Sequence, residues 1–580
     1  MPESAAVAWV PMLLGQVRYA NRGFWRTPVA AFFTLVFPLS FLVILCALYG
    51  NEVIDEDTGL RLAQFTTPVF AVFGVCMACY VSLALALSYA RGSGVLKRLR
   101  GTPLPPALHI AGRIGSAMWV SMIATAVMVG VGVVFYGVQI IWANMPALVL
   151  TFAVGMACFS ALGLAVAAIA PTPNAAQGFS NASLILLSFI SGIFGFAELP
   201  EWMDRVANFF PLKHFVDPAA AGFNPYVDAT TPSWGDLAVM AAWGVVGGLL
   251  AWRWFGWEPG STRVRSGRRG RGPGVRDAAD GADLPDGADS VDWADLDRAP
   301  IPVGSVDAAR VRTDTVLRAG PAGRARVAAL TRSQTRYAMQ QVLRDPMSMF
   351  FAIIFPVLLV TAFSLIYGSE VQWGGLPLPQ YLAAAFAVYG VGTMAFVNLP
   401  GSIADQRALG VLKRMRGTPL PPLLYLVGRV LAALVLGLAT LVLVFIVAVA
   451  FLTVSLPPST WAATLLTFVL AILCFAACGL ALVSLVDSPQ AVIALALSIL
   501  LPLSFFSDIF ISIEEMPTTL SAIGWTFPLR HAVAAAVTAT SGGALDGTFW
   551  GHLAVLVLWT GIGLLVAWRF FHWEPRRARS

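Results

Sequence analysis

The chain is a succession of apolar runs of about twenty residues, each closed by a short polar or basic stretch. A bilayer's hydrocarbon core is about 30 Å thick, so one spanning helix needs roughly 20 mostly apolar residues. The runs are continuous and lack the period-two alternation of a membrane strand. Backbone groups in lipid must pair within their own structure, which leaves helices. The pattern predicts spans near 29–50, 65–89, 108–136, 146–170, 174–197 and 236–257, then near 347–368, 381–404, 424–454, 461–486, 490–512 and 549–572. The expected fold is an all-α polytopic membrane protein with two six-helix units and twelve spans.

The second set repeats the first at an offset of 316 to 318 residues. Arg18-Tyr19, Pro28, Pro38, Tyr49 and Gly50 return as Arg336-Tyr337, Pro346, Pro356, Tyr367 and Gly368. AWRWFGWEP (Ala251 to Pro259) returns as AWRFFHWEP (Ala567 to Pro575), and GVLKRLRGTPLPP (Gly94 to Pro106) as GVLKRMRGTPLPP (Gly410 to Pro422). Such self-similarity marks a duplication. The units are expected at 1–259 and 331–580, with a linker at 260–330. Six spans per unit return the chain to its starting side, so the repeat is parallel.

Basic residues orient the spans. Arg18, Arg22 and Arg26 precede the first span, and Arg91, Lys97, Arg98, Arg100 and Arg113 lie between the second and third. Arg407, Lys413, Arg414, Arg416 and Arg429 match the latter in the second unit. These segments, and both termini, are expected in the cytoplasm. Glu52, Asp55, Glu56, Asp57, Glu370, Glu514 and Glu515 are expected outside. Stretches 9–22 and 325–344 are amphipathic and suit the interface before each first span.

Composition agrees: 58% hydrophobic and 12% charged residues, with mean hydropathy +0.76, exclude a soluble protein. The net charge of +6 resides in basic residues that flank the spans or sit in the linker, which points to membrane orientation and not to nucleic acid. The linker carries an Arg run (Arg263 to Arg276) and an Asp run (Asp277 to Asp297), and is read as flexible. Its arginines either meet anionic headgroups or are simply solvated. All six cysteines fall within apolar runs, where thiols act as small hydrophobes. Cys76-x-x-Cys79 has redox spacing without the redox context. Met1 to Val10 has neither the charged start nor the cleavage site of a signal peptide, so no cleaved leader is expected.

The GVLKR(L/M)RGTPLPP block matches at 12 of 13 positions while the flanking helices have diverged, so more than charge is retained. Its Val and Leu residues share one face of a short helix, its Lys and Arg residues the other, and Gly-Thr-Pro ends it. With the six-helix unit and a Phe-Pro-Leu stretch before each sixth span, this block resembles the permeases of type-2 ABC exporters, including antibiotic-resistance exporters of the daunorubicin kind. The resemblance covers both copies.

That resemblance implies that the block is a coupling helix docked on a separate ATPase subunit. Lys97, Arg98, Arg100, Thr102 and Pro103, with Lys413, Arg414, Arg416, Thr418 and Pro419, are then the coupling residues. Family members often carry an acid just before the block's Gly. Here Gly92-Ser93 and Ala408-Leu409 stand there, and the nearest acid is Asp405 in the second copy. The chain has no G-x-x-x-x-G-K-[ST] phosphate loop, so ATP and Mg are expected in the partner and no cofactor in this chain. The expected partners are two ABC ATPase subunits, membrane lipids and a small amphipathic substrate, in the plasma membrane.

The stretch before each sixth span is too broken to cross a bilayer. Phe210-Pro211-Leu212-Lys213-His214 matches Phe527-Pro528-Leu529-Arg530-His531. It is read either as a re-entrant pair, which the resemblance makes an exit gate at Phe210, Pro211, Leu212, Phe527, Pro528 and Leu529, or as a surface loop. Asn174, Gln177 and Asn181 share one face of the fifth helix, where the second copy has Gln490, Ile493 and Leu497. This face either lines an asymmetric path or bonds neighbouring helices. His214 and His531 carry no metal-ligand pattern.

The expected function is the membrane permease of an ATP-driven exporter, with no catalytic site of its own. The alternatives are an ion-coupled secondary transporter, which needs charges within the spans, and an exporter of lipid or polysaccharide precursors. A membrane enzyme needs a side-chain cluster that the five scattered histidines do not supply.

Overall fold

The computed structural model of the chain describes residues 3–48, 51–55, 59–99, 101–102, 104–194, 200–256, 321–368, 371–418, 420–510 and 518–573. Residues 1–259 and 330–580 pack into one compact unit. The expected linker lies outside the described residues as far as 320. The acids expected outside at Glu56, Asp57, Glu370, Glu514 and Glu515 also lie outside them.

The protein is an all-α polytopic membrane protein. Its first half contains α1 (Glu3–Trp25), α2 (Phe37–Leu48), α3 (Leu62–Gly92), α4 (Val95–Leu99), α5 (Pro106–Tyr136), α6 (Met145–Ile169), α7 (Pro173–Ile190), α8 (Glu201–Ala207), α9 (Lys213–Phe223) and α10 (Trp234–Trp254). The second half repeats them as α11 (Pro321–Leu343), α12 (Phe355–Tyr367), α13 (Leu378–Ala408), α14 (Val411–Arg416), α15 (Pro422–Phe451), α16 (Trp461–Leu485), α17 (Pro489–Phe506), α18 (Thr518–Thr526), α19 (Pro528–Ser541) and α20 (Gly547–Phe570). Among the described residues ten helices are long and apolar enough to cross a membrane. The two other expected spans are shorter apolar helices, Phe32–Ala47 and Ala175–Ile190.

Helical pairing differs from the hydrophobic pattern in two places. The fifth spans end at Ile190 and Phe506, well short of 197 and 512. Gly192 (φ 75°) and Asp508 (φ 56°) turn left-handed there, and the N–H groups of Ile193 and Ile509 reach back to the Ser188 and Ser504 carbonyls at 3.0 and 3.1 Å. That closes the last helical turn. After each first span comes a small antiparallel hairpin: β1 (Val53–Asp55) with β2 (Leu60–Arg61), and β3 (Gln372–Trp373) with β4 (Leu376–Pro377).

Within each half the fourth and sixth spans touch backbone to backbone. A Cβ on Gly247 would fall 2.9 Å from the Ala161 carbonyl carbon, and one on Gly563 2.7 Å from that of Ala477. In lipid, where apolar surface alone gives little drive to associate, such small residues let dispersion hold helices together. The second span is the most enclosed: 83% of its most apolar window is buried in α3 and 89% in α13, against 22% in α10 and α20. The second spans therefore form the centre of each half, and the sixth spans face lipid. The halves meet where each first span packs on the fifth helix of the other half.

Candidate functional site: two basic turns and the cavity between the halves

The repeated block forms α4 and α14. Gly94 (φ 70°) and Gly410 (φ 68°) reverse the backbone after the second span, with open space around each. The left-handed φ, and not crowding, calls for glycine. Leu96 and Leu412 are fully buried, each worth about 1.5–3 kcal/mol of apolar burial, which is enough to pin so short a turn. Lys97, Arg98, Lys413, Arg414 and Arg416 are exposed. The Thr102 and Thr418 hydroxyls donate to the Leu99 and Met415 carbonyls at 2.6 Å, satisfying the free end of each helix. Arg100, Pro103 and Pro419 lie outside the described residues. The block is thus a cationic face held on an apolar anchor, in duplicate.

Above these turns, a cavity of about 1360 Å³ lies between the halves. It exceeds the roughly 300–1,000 Å³ of ordinary small-ligand pockets. Gln177 and Asn181 from α7 and Gln490 from α17 all line it. The side chain of Asn174 lies outside the described residues. Near the basic turns the walls are polar, with Arg22, Arg26 and Arg113 from the first half and Asp345, Asn398 and Asp405 from the second. The positions matching Asp345 and Asp405 hold Thr27 and Tyr89, so the acids belong to one half. π-helical turns at Met77–Ser82 and Thr393–Asn398 interrupt the two second spans where they border the cavity. Such turns recur at functional sites because they redirect side chains.

Toward the end remote from the basic turns, aromatic rings join the two halves. Phe41 meets Phe505 edge-on at 4.8 Å, and Phe189 meets Phe363 at 5.7 Å. Each contact joins a first span to the other half's fifth helix. Phe194 packs on Phe41, Phe73 and Phe189, while its counterpart Phe510 packs on Phe505, Tyr389 and Phe386. Aromatic pairs add roughly 0.5–1.5 kcal/mol each beyond area burial, so the halves are joined along two seams that can part.

The segments before the sixth spans fold as short helix pairs, α8 with α9 and α18 with α19. Phe210 stacks on Trp243 at 5.9 Å and Phe527 packs on Trp559 at 5.8 Å, while Leu212 and Leu529 are buried. Phe210 and Phe527 rest against the sixth span, and none of Phe210, Pro211, Leu212, Phe527, Pro528 and Leu529 lines the cavity. The two segments differ in polar ties. His214 Nδ1 lies 2.6 Å from Asp236 Oδ1, whereas at the matching places His531 Nδ1 lies 2.9 Å from His552 Nδ1. Lys213 pairs with Asp204 inside its own segment. Arg530 instead reaches Asp508 at 2.9 Å, tying α19 to the end of α17, and covers the Trp525 ring. Burial pushes the Asp508 carboxyl up, and Arg530 only partly offsets this.

Two repeated polar pairs escaped the sequence reading. Gln64 Nε2 donates to the Gln139 carbonyl at 2.9 Å and to the Phe223 carbonyl; Gln380 Nε2 donates to those of Ser455 and Thr540 at 3.0 and 3.1 Å. Each glutamine ties a second span to the loop after the third span and to the pre-sixth helix. Arg91 and Arg407, read only as orientation signals, are buried. The signal available was a polar residue kept at the same offset at the edge of an apolar run.

The sequence matches the family model described as ABC-2 type transporter twice, over residues 17–223 and 330–540. No curated protein matches the chain.

Proposed function

The chain belongs to the ABC-2 type transporter family, two permease units fused in tandem, and on that premise we propose that it is the membrane permease subunit of an ATP-driven exporter. Membership makes it a membrane transport component that works with ABC ATPase subunits. Two such subunits dock, one on α4 and one on α14, and they hold ATP and Mg. The cargo is a small amphipathic molecule, bound among the aromatic and polar walls between the halves, with Gln177, Asn181, Gln490 and Asn174 on its path. The chain sits in the plasma membrane with both termini in the cytoplasm.

The observation that carries this reading is the duplicated cationic turn, anchored by one buried leucine in each half beneath a shared cavity. ATP binding draws the ATPase subunits together, displaces both turns and parts the aromatic seams at the far end. The test is copurification with the ATPase. Charge reversal at Lys97, Arg98, Lys413 and Arg414 to Glu is expected to release it while the membrane subunit still inserts. An ATPase that stays bound removes these residues from the docking surface.

A further inference from the structure

We infer that Arg91 and Arg407 are positioning residues that carry the movement of each basic turn to the fifth helix of its own half. This rests on the reading of α4 and α14 as coupling helices. Each arginine ends a second span just before the glycine turn that opens the block: the Gly94 N–H donates to the Arg91 carbonyl at 3.0 Å and the Gly410 N–H to that of Arg407 at 3.1 Å. Each side chain then runs inward to the end of the fourth span. Arg91 Nη1 donates to the Ala168 carbonyl at 3.4 Å and Nη2 to that of Ala170. Arg407 Nη1 donates to the Val483 carbonyl at 2.9 Å and Nη2 to that of Val486.

These carbonyls are the ones a helix leaves unpaired at its C-terminus, where the partial negative charge of the helix favours a cation. A planar guanidinium can engage two of them at once, which an ammonium does less rigidly. Burial of a charge is costly unless it is paired, so neither arginine swings free cheaply.

The fourth span leads almost directly into the fifth. One residue, Pro171 or Asp487, separates the last clamped carbonyl from the cap of the next helix. That cap is Thr172, accepting the Ala175 N–H at 3.1 Å, or Ser488, accepting the Ala491 N–H at 3.4 Å. Nothing in this connection has slack. On the cavity side the same helices present Gln177, or Gln490, and at their far ends Phe189, or Phe505, which form the two seams. A displaced α4 therefore pulls on α7, and a displaced α14 on α17. In the second half Asp487 adds a carboxylate 3.8 Å from Arg407.

The experiment uses the full chain copurified with its ATPase. Gln177→Cys or Gln490→Cys reports the fifth helix by its rate of labelling with a polar maleimide, with and without a non-hydrolysable ATP analogue. With both arginines intact, the analogue is expected to change both rates severalfold. Arg91→Gln is expected to abolish the response at Gln177→Cys and leave that at Gln490→Cys; Arg407→Gln is expected to do the reverse. Arg91→Lys and Arg407→Lys should restore part of each response, with ATPase binding unchanged throughout. A general folding defect would silence both probes together in the Gln and Lys variants alike, and that result overturns the inference, as does survival of both responses in the Gln variants. If the analogue moves neither probe while both arginines are intact, the coupling reading fails, and the inference with it.

Discussion

Asp508 offers a sharp test of the packing, because two separable effects meet at one residue. It occupies left-handed backbone where the first half has Gly192, and its carboxylate faces Arg530 at 2.9 Å. Since burial outweighs Arg530 and raises the carboxyl, the native state holds that proton more tightly than the unfolded chain. The sign follows: the contribution is complete below the unfolded value of 3.8 and is lost as pH rises through the raised value. Asp508→Asn keeps a hydrogen-bonding group, tolerates the left-handed turn and carries no buried charge, so at neutral pH it should lie within about 1 kcal/mol of the parent. Asp508→Gly loses the bond to Arg530, about 1.5–3 kcal/mol, adds roughly 0.4–1 kcal/mol of unfolded-state entropy and sheds about 1–2 kcal/mol of left-handed Cβ strain, for a total near 0–3. Asp508→Ala loses the same bond and keeps the left-handed Cβ that the parent already carries, for a total near 1.5–3 kcal/mol. Thermal unfolding in detergent micelles, followed by the fluorescence of the 18 tryptophans, gives the order. The parent should lose stability relative to Asp508→Asn as pH rises from about 4 to 8. An alanine variant as stable as the glycine variant refutes the backbone argument. An asparagine variant far below the parent at neutral pH refutes the claim that burial outweighs the ion pair.

Other consequences follow from the same geometry. Leu412→Ala removes the anchor of α14 at a cost of about 2–5 kcal/mol, and should weaken ATPase copurification although every cationic side chain remains. Phe41→Ala removes the contact with Phe505 and should increase labelling of Gln177→Cys by a polar maleimide added outside intact cells; unchanged labelling would mean the aromatic rings do not close that end. Gly563→Ala forces the fourth and sixth spans of the second half apart and should cost about 1–3 kcal/mol in thermal unfolding. Gly561→Ala, two residues away in open space, should be neutral or gain up to about 1 kcal/mol from helix propensity.

The amino-acid sequence by itself determined that the chain is helical and apolar along its length, with ten of the twelve expected segments long enough to cross a membrane, that it is a duplication, and where its basic turns lie. These are local properties. The length of an apolar run sets a span, and Gly94, Leu96 and Thr102 act within a few residues of one another, so their roles can be read along the chain. Even the polar face of Gln177 and Asn181 was legible, since helical spacing puts both on one side. What tertiary structure alone decided is which faces meet. A helix in lipid is apolar nearly all round, so no hydrophobic stripe tells its inner face from its outer one. Phe41 and Phe505 are ordinary span residues until the halves pack. The partners of Phe210 and Phe527, Trp243 and Trp559, cannot be read along the chain. Arg91 and Arg407 signal only orientation until the fourth span brings its unpaired carbonyls to them. Each of these contacts joins positions far apart in the chain, and close packing, not local preference, selects them.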